Sequence, residues 1–123
     1  MKGMKEIQIQ KAIKGYLQIL ENQGKLMFLR NQAGGYATKE GHYIKMGKKG
    51  SPDLLVWLPF DNEKENGYIP MCKWIRAIAL EVKAPKGAQS SSQKEWQDKF
   101  ENLGGEYYIV RSVDDVIKII GGN

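Results

Sequence analysis

The sequence holds one cysteine, Cys72, and one histidine, His42. An internal disulfide is therefore excluded, and a structural zinc site within one chain lacks its ligands. There is no apolar run long enough for a transmembrane helix, and the opening MKGMKEIQIQ has no hydrophobic signal core. A cytoplasmic, non-membrane setting is expected. Repeats, linkers and low-complexity tracts are lacking, so residues 1–123 read as one domain. The glycine pairs at 34–35, 104–105 and 121–122 form neither a Walker A loop nor a dinucleotide fingerprint. No helix-turn-helix or zinc-finger pattern is visible, which argues against readout of base sequence and for recognition of shape.

What remains is ordinary in bulk and uneven in charge. Hydrophobic residues make up 41% and charged residues 27%, values that suit a globular core. Nineteen Lys/Arg against fourteen Asp/Glu give +5. Residues 1–53 carry ten basic and four acidic groups, whereas residues 54–123 carry nine and ten, so the excess lies in the first half. A basic half suits a polyanionic partner, although small proteins also carry such charge for solubility.

Residues 4–23 place Ile9, Ile13, Tyr16, Leu17 and Leu20 at three- and four-residue spacing, which predicts a helix closed by Gly24. The run 25–31 reads as a strand, and Tyr43–Met46 as a short one within a Gly/Lys-rich stretch. DLLVWL at 53–58 reads as a buried strand, 59–70 as a charged surface loop, and 73–83 as a long strand. Ser92 and Glu95 have capping-box spacing for a helix over 93–103, which Gly104-Gly105 ends. EYYIVR at 106–111 reads as a strand, and Ser112 caps a final helix with Asp114 and Asp115 in its first turn. The expected architecture is α/β (α+β): a central mixed sheet flanked by helices, in the order α-β-β-β-α-β-α.

Four features carry candidate chemistry, and each has an ordinary structural explanation when read alone. Glu81 and Lys83 share one face of a strand, with Ile78, Leu80 and Val82 on the core side; a solvated edge would look the same. Asp53 follows Gly50-Ser51-Pro52 at the mouth of a buried strand, where a turn aspartate is also common. Glu6 lies on the stripe of Ile9, Ile13 and Leu17, yet acids are frequent in first helical turns. Gln93 opens the stripe of Trp96, Phe100 and Leu103, placed to meet a phosphate or simply exposed. Taken together, two carboxylates on adjacent strands plus a backbone carbonyl make an oxygen-rich site suited to Mg²⁺, with a lysine two residues away.

The arrangement Pro52-Asp53 followed by Glu81-x-Lys83 resembles the PD-(D/E)XK nuclease superfamily, and most closely its VRR-NUC (virus-type replication-repair nuclease) branch. The resemblance spans nearly the whole chain: Glu6, Arg30 in RNQAGG, GSPDLL at 50–55, LEVKAPKG at 80–87, SSSQKEWQDKFENLGG at 90–105 and YYIVRSVDDV at 107–116. Two departures are local. Lys49 stands where an arginine often precedes the Gly-x-Pro-Asp segment, and the 59–70 loop with KWIRA lengthens the spacing of the two carboxylates. The resemblance implies a restriction-endonuclease-like fold and Mg²⁺- or Mn²⁺-dependent cleavage of DNA phosphodiesters. It implies Asp53, Glu81 and the Val82 carbonyl as metal ligands, Lys83 as the catalytic lysine, Glu6 as an outer or second-metal carboxylate, and Gln93 as orienting water or phosphate. It further implies a homodimer acting on branched DNA such as Holliday junctions in repair, in a bacterium or a phage-infected cell.

Arg30, Lys45, Lys48, Lys49 and Lys86 are the expected phosphate contacts, which position a substrate without reading its sequence. Trp57, Trp74 and Trp96 read as core. Tyr36 and Tyr43 are candidates for a strand-end wedge, and neither His42 nor Cys72 has a recognisable catalytic partner. Two rivals stay open: a non-catalytic nucleic-acid-binding module of the same fold, and an RNA nuclease.

Overall fold

The computed structural model describes residues 5–31, 35–45, 48–60 and 74–121, with only the backbone of 35–37 and 43–45. Cys72 and most of the expected 59–70 loop lie outside the described residues, as do the side chains of Tyr36, Tyr43 and Lys45.

Helix α1 (Glu6–Asn22) buries Ile9, Ile13 and Leu17, the four-residue rhythm of one helical face. Gly24 ends it at φ 75°, where the Gly24 and Lys25 N–H groups donate to the Glu21 and Leu20 carbonyls at 2.9 and 3.0 Å. That left-handed position suits a residue without a Cβ and satisfies two otherwise orphaned carbonyls.

Strands β1 (Met27–Arg30), β4 (Leu54–Pro59), β5 (Ile75–Val82) and β6 (Glu106–Val110) form one sheet in that spatial order. The β1–β4 and β4–β5 pairs are antiparallel and β5–β6 is parallel. Strands β2 (Gly35–Ala37) and β3 (Tyr43–Lys45) make a separate hairpin, with the exposed His42 in its turn. Helix α2 (Ser91–Asn102) provides the crossover between β5 and β6, and α3 (Val113–Ile120) follows. The hairpin aside, the order is the expected α-β-β-β-α-β-α, an α+β fold around a mixed sheet.

Alternation along the strands decides what each face of the sheet meets. Leu54 and Val56 of β4, Ile78, Leu80 and Val82 of β5 and Val110 of β6 are buried against Ile9, Ile13 and Leu17 of α1 and Val116 and Ile120 of α3. Fully burying each such side chain contributes about 2 kcal/mol before entropy is counted. The opposite face carries Leu55, Trp57, Ala79, Glu81 and Tyr107, and α2 covers its β5–β6 side, where Trp96 lies 6.1 Å from the Tyr107 ring. At the other end of the parallel pair, the Arg76 guanidinium grips both oxygens of Glu106 at 2.7 Å, and the Tyr108 hydroxyl adds a third 2.7 Å bond.

Two expectations shift. Helix α2 starts at Ser91, and its cap is Ser90 rather than Ser92: the Ser90 hydroxyl accepts from Gln93 N–H at 3.2 Å while the Gln93 amide oxygen accepts from Ser90 N–H at 2.9 Å. The tryptophans are not fully buried. Trp74 is 56% exposed, and Trp57 and Trp96 are half-buried. Among the described residues, no helix is long and apolar enough to cross a membrane.

Candidate active site

Four element ends meet at one edge of the sheet: the start of α1, the start of β4, the end of β5 and the start of α2. Asp53 precedes β4 by one residue, one position beyond the Leu54–Leu80 pair, which sets it across from Glu81. Its Oδ2 accepts from the Val82 backbone N–H at 2.8 Å. Glu6, the first residue of α1, reaches the same place. One carboxylate oxygen each from Glu6, Asp53 and Glu81 lie within 4.8 Å of one another. Glu6 is exposed, Asp53 half-buried and Glu81 only 2% exposed, so the cluster runs from solvent into the protein.

Glu81 is the electrostatic centre of this group. Its Oε2 accepts from the Gln93 amide at 3.1 Å and lies 3.7 Å from Lys83 Nζ. Its Oε1 is buried and, among the described residues, has no hydrogen-bond partner. Burial, reinforced by the Asp53 and Glu6 charges and only partly offset by Lys83, pushes the Glu81 carboxyl up to about 8. A buried carboxylate oxygen without a donor, facing two further carboxylates and only one lysine, fits a cation or a proton. The three acids and the adjoining β5 backbone offer the hard oxygen donors that a divalent ion prefers. The first turns of α1 and α2 also bring their partial positive charge to this corner.

Residues outside the expected set hold these groups in place. Asn31 donates through its amide to Ser51 Oγ and the Pro52 carbonyl, both at 2.8 Å, and through its backbone N–H to the Asp53 carbonyl at 2.8 Å. Ser51 in turn donates to the Lys48 carbonyl at 2.6 Å. Together these bonds fix the turn that presents Asp53. Gly50 adopts φ 83°, and a Cβ there would strike the Ser92 carbonyl, so this turn is pressed against the start of α2. On the far side, Arg111 Nη1 donates to the Ala84 and Gly87 carbonyls at 2.7 and 2.9 Å and ties down the loop after Lys83. Asn31 and Arg111 sit in RNQAGG and IVRSVDDV, but these bonds cross twenty or more positions of sequence, so no local pattern announces them.

The expected set therefore divides. Glu6, Asp53, Glu81, Lys83 and Gln93 come together, and Val82 lies among them through its N–H. Lys48, Lys49 and Lys86 are exposed on the turns flanking this corner, and Arg30 is exposed at the end of β1 beside Asn31. Lys45 belongs to the β2–β3 hairpin. Both ends of the half-buried Gln93 amide are engaged, by Ser90 and by Glu81, so it holds one of the carboxylates of this corner.

A mixed sheet ends here in an acidic cluster with a lysine beside it, and the family match makes this a nuclease-like domain. The chain belongs to the VRR-NUC domain family, whose model matches residues 16–114. That span holds Asp53, Glu81, Lys83 and Gln93, while Glu6 precedes it. A solved structure described as a VRR_NUC domain is similar over 97% of each chain at 22% identity, with a TM-score of 0.58. It shares the fold. Among curated proteins, none matches.

Proposed function

We propose that this chain is a divalent-metal-dependent endonuclease that hydrolyses DNA phosphodiester bonds. The observation that carries the reading is the meeting of Glu6, Asp53 and Glu81 oxygens within 4.8 Å, beside Lys83, in a VRR-NUC domain. Asp53, Glu81 and the Val82 carbonyl would hold Mg²⁺ or Mn²⁺, with Glu6 as the outer carboxylate. When bound, such an ion supplies an activated water and neutralises charge on the phosphoryl group.

The chain's own residues do the rest. The Val82 N–H takes one oxygen of Asp53 and leaves the other for coordination. Gln93 fixes the Glu81 carboxylate, so its orientation costs nothing when a ligand arrives. The Lys83 ammonium, held 3.7 Å from Glu81, faces the attacked phosphate, orients the nucleophilic water and offsets the developing charge. Exposed Lys48, Lys49, Lys86 and Arg30 seat neighbouring phosphates. The substrate is branched DNA such as a four-way junction, two copies of the single 1–123 domain act on it, and the setting is the cytoplasm of a bacterium or phage-infected cell.

The test is a cleavage assay on labelled four-way junction, flap, duplex and single-stranded DNA, with RNA in parallel. Each is incubated with Mg²⁺, Mn²⁺ or EDTA, beside Lys83→Ala. Metal-dependent cuts that vanish in the variant are expected. Binding without cuts under either metal would give the binding module instead, and preferential cutting of RNA would replace the substrate.

A further inference from the structure

Beside the turn that presents Asp53, a groove of 370 Å³ runs along α2, and its chemistry differs from that of the acidic corner. Its floor is aromatic: Trp96 and Phe100 stack with ring centres 4.8 Å apart. Lys48 and Lys49 from the Asp53 turn and Lys99 of α2 line it as well, with Glu95 as the one acid among its described lining residues. All three lysines are exposed, and among the described residues none forms a salt bridge. The stripe that leads from Gln93 through Trp96 and Phe100 runs off the sheet, for Leu103 at its end is 88% exposed. Trp96 packs toward Tyr107 and Phe100 toward Gly105, yet both rings are only half-buried and line the groove.

We infer that this groove is a subsite for one unpaired nucleotide of single-stranded DNA, the base lying on the Trp96–Phe100 floor and its flanking phosphates between Lys48, Lys49 and Lys99. A π-face with a cationic rim is the combination that holds a single strand, because every base stacks and every phosphate needs a counter-charge. A fully paired duplex has no free base face to offer. Three lysines against one glutamate favour an anionic occupant over a peptide or an apolar one.

Placement joins the groove to the site. The Lys48–Asp53 turn contributes lysines to one and a carboxylate to the other, while α2 sends Gln93 to Glu81 and Trp96 to the groove, one helical turn apart. That turn is about 5 Å of axial rise, of the order of one nucleotide step. The subsite rests on the nuclease reading for its meaning: it selects DNA whose strand is unpaired next to the phosphate at Glu81. A flap or a gap presents such a nucleotide, as does branched DNA whose pairing opens at the branch point, and a continuous duplex does not.

The experiment is run in EDTA, so it does not depend on cleavage. The probe is a short single-stranded oligodeoxynucleotide of thymines with one 2-aminopurine, compared with the same strand in a duplex. Binding quenches the fluorescent base in the single strand through stacking on Trp96, and the duplex shows no such quench. Trp96→Leu keeps apolar volume and abolishes the quench. Lys99→Glu, at an exposed position, weakens single-strand binding about tenfold while the chain still unfolds cooperatively, the lost charge at the end of α2 costing little stability. Unchanged quenching in Trp96→Leu together with unchanged affinity in Lys99→Glu overturns the subsite, as does equal quenching in duplex and single strand. Quenching without cleavage in any metal would sink the nuclease reading and leave the groove standing. Metal-dependent cleavage with no quenching would do the reverse.

Discussion

Glu81→Gln provides a test that needs no substrate. In the metal-free protein, burial and the Asp53 charge hold the Glu81 carboxyl at about 8, against an ordinary value of 4.5. The folded chain keeps a proton there that the unfolded chain releases. Between these two values folding binds extra proton, so stability is greatest below pH 4.5 and declines as pH rises toward 8. At 1.36 kcal/mol per pH unit the ceiling on that decline is about 5 kcal/mol. The cluster opens to solvent at Glu6, where water and counter-ions relieve part of the charge, which leaves about 2 kcal/mol, or roughly 5–10 °C in melting temperature for a chain of this size. Glutamine keeps an oxygen for the Gln93 amide and adds an N–H for Asp53, so the variant loses the slope without losing the contact. Thermal denaturation in EDTA across the neutral range reads both proteins. The wild type becomes less stable with rising pH relative to the variant, and added Mg²⁺ restores it at the alkaline end while leaving the variant unmoved. Parallel pH profiles, or equal stabilisation of both by Mg²⁺, would refute the account of Glu81 as a proton- or cation-holding carboxyl.

Three further outcomes follow from the surrounding bonds. Asn31→Ala strands the Pro52 carbonyl and the Ser51 hydroxyl, costs about 1–2 kcal/mol by denaturant titration, and weakens Mg²⁺ binding measured by calorimetry. Gly50→Ala forces a Cβ into the Ser92 carbonyl at φ 83°, with an expected loss of about 2–4 kcal/mol; wild-type stability in that variant would show that the turn is free to move. Arg111→Met removes the donors to the Ala84 and Gly87 carbonyls, lowers stability by about 1–3 kcal/mol, and slows cleavage beyond what the stability loss explains, because the loop after Lys83 is released.

How far the sequence discloses all this depends on the range of the interaction that decides each feature. Helix α1 and strands β4 and β5 are legible because their apolar spacing is itself the cause of their burial: Ile9, Ile13 and Leu17, then Leu54 and Val56, then Ile78, Leu80 and Val82. Glu81 and Lys83 are legible as a pair for the same reason, since strand parity sets them on one side. The start of α2 is not. SSSQKE offers two equivalent boxes, Ser90 with Gln93 and Ser92 with Glu95, and local preference cannot separate them. In the fold the first box forms, with Gln93 as the third helical residue, its amide oxygen on Ser90 and its amide nitrogen on Glu81. Trp96 misleads in the opposite direction. Its stripe has the rhythm of a buried face, but rhythm does not say where the sheet beneath it ends. Asn31 and Arg111 carry no signal at all, since a side chain that satisfies distant carbonyls looks, in sequence, like any polar residue. The acidic corner is thus readable as a set of residue types and unreadable as a geometry. The positions of its carboxylates follow from strand and helix periodicity, while the bonds that aim them are long-range and appear only when the chain is folded.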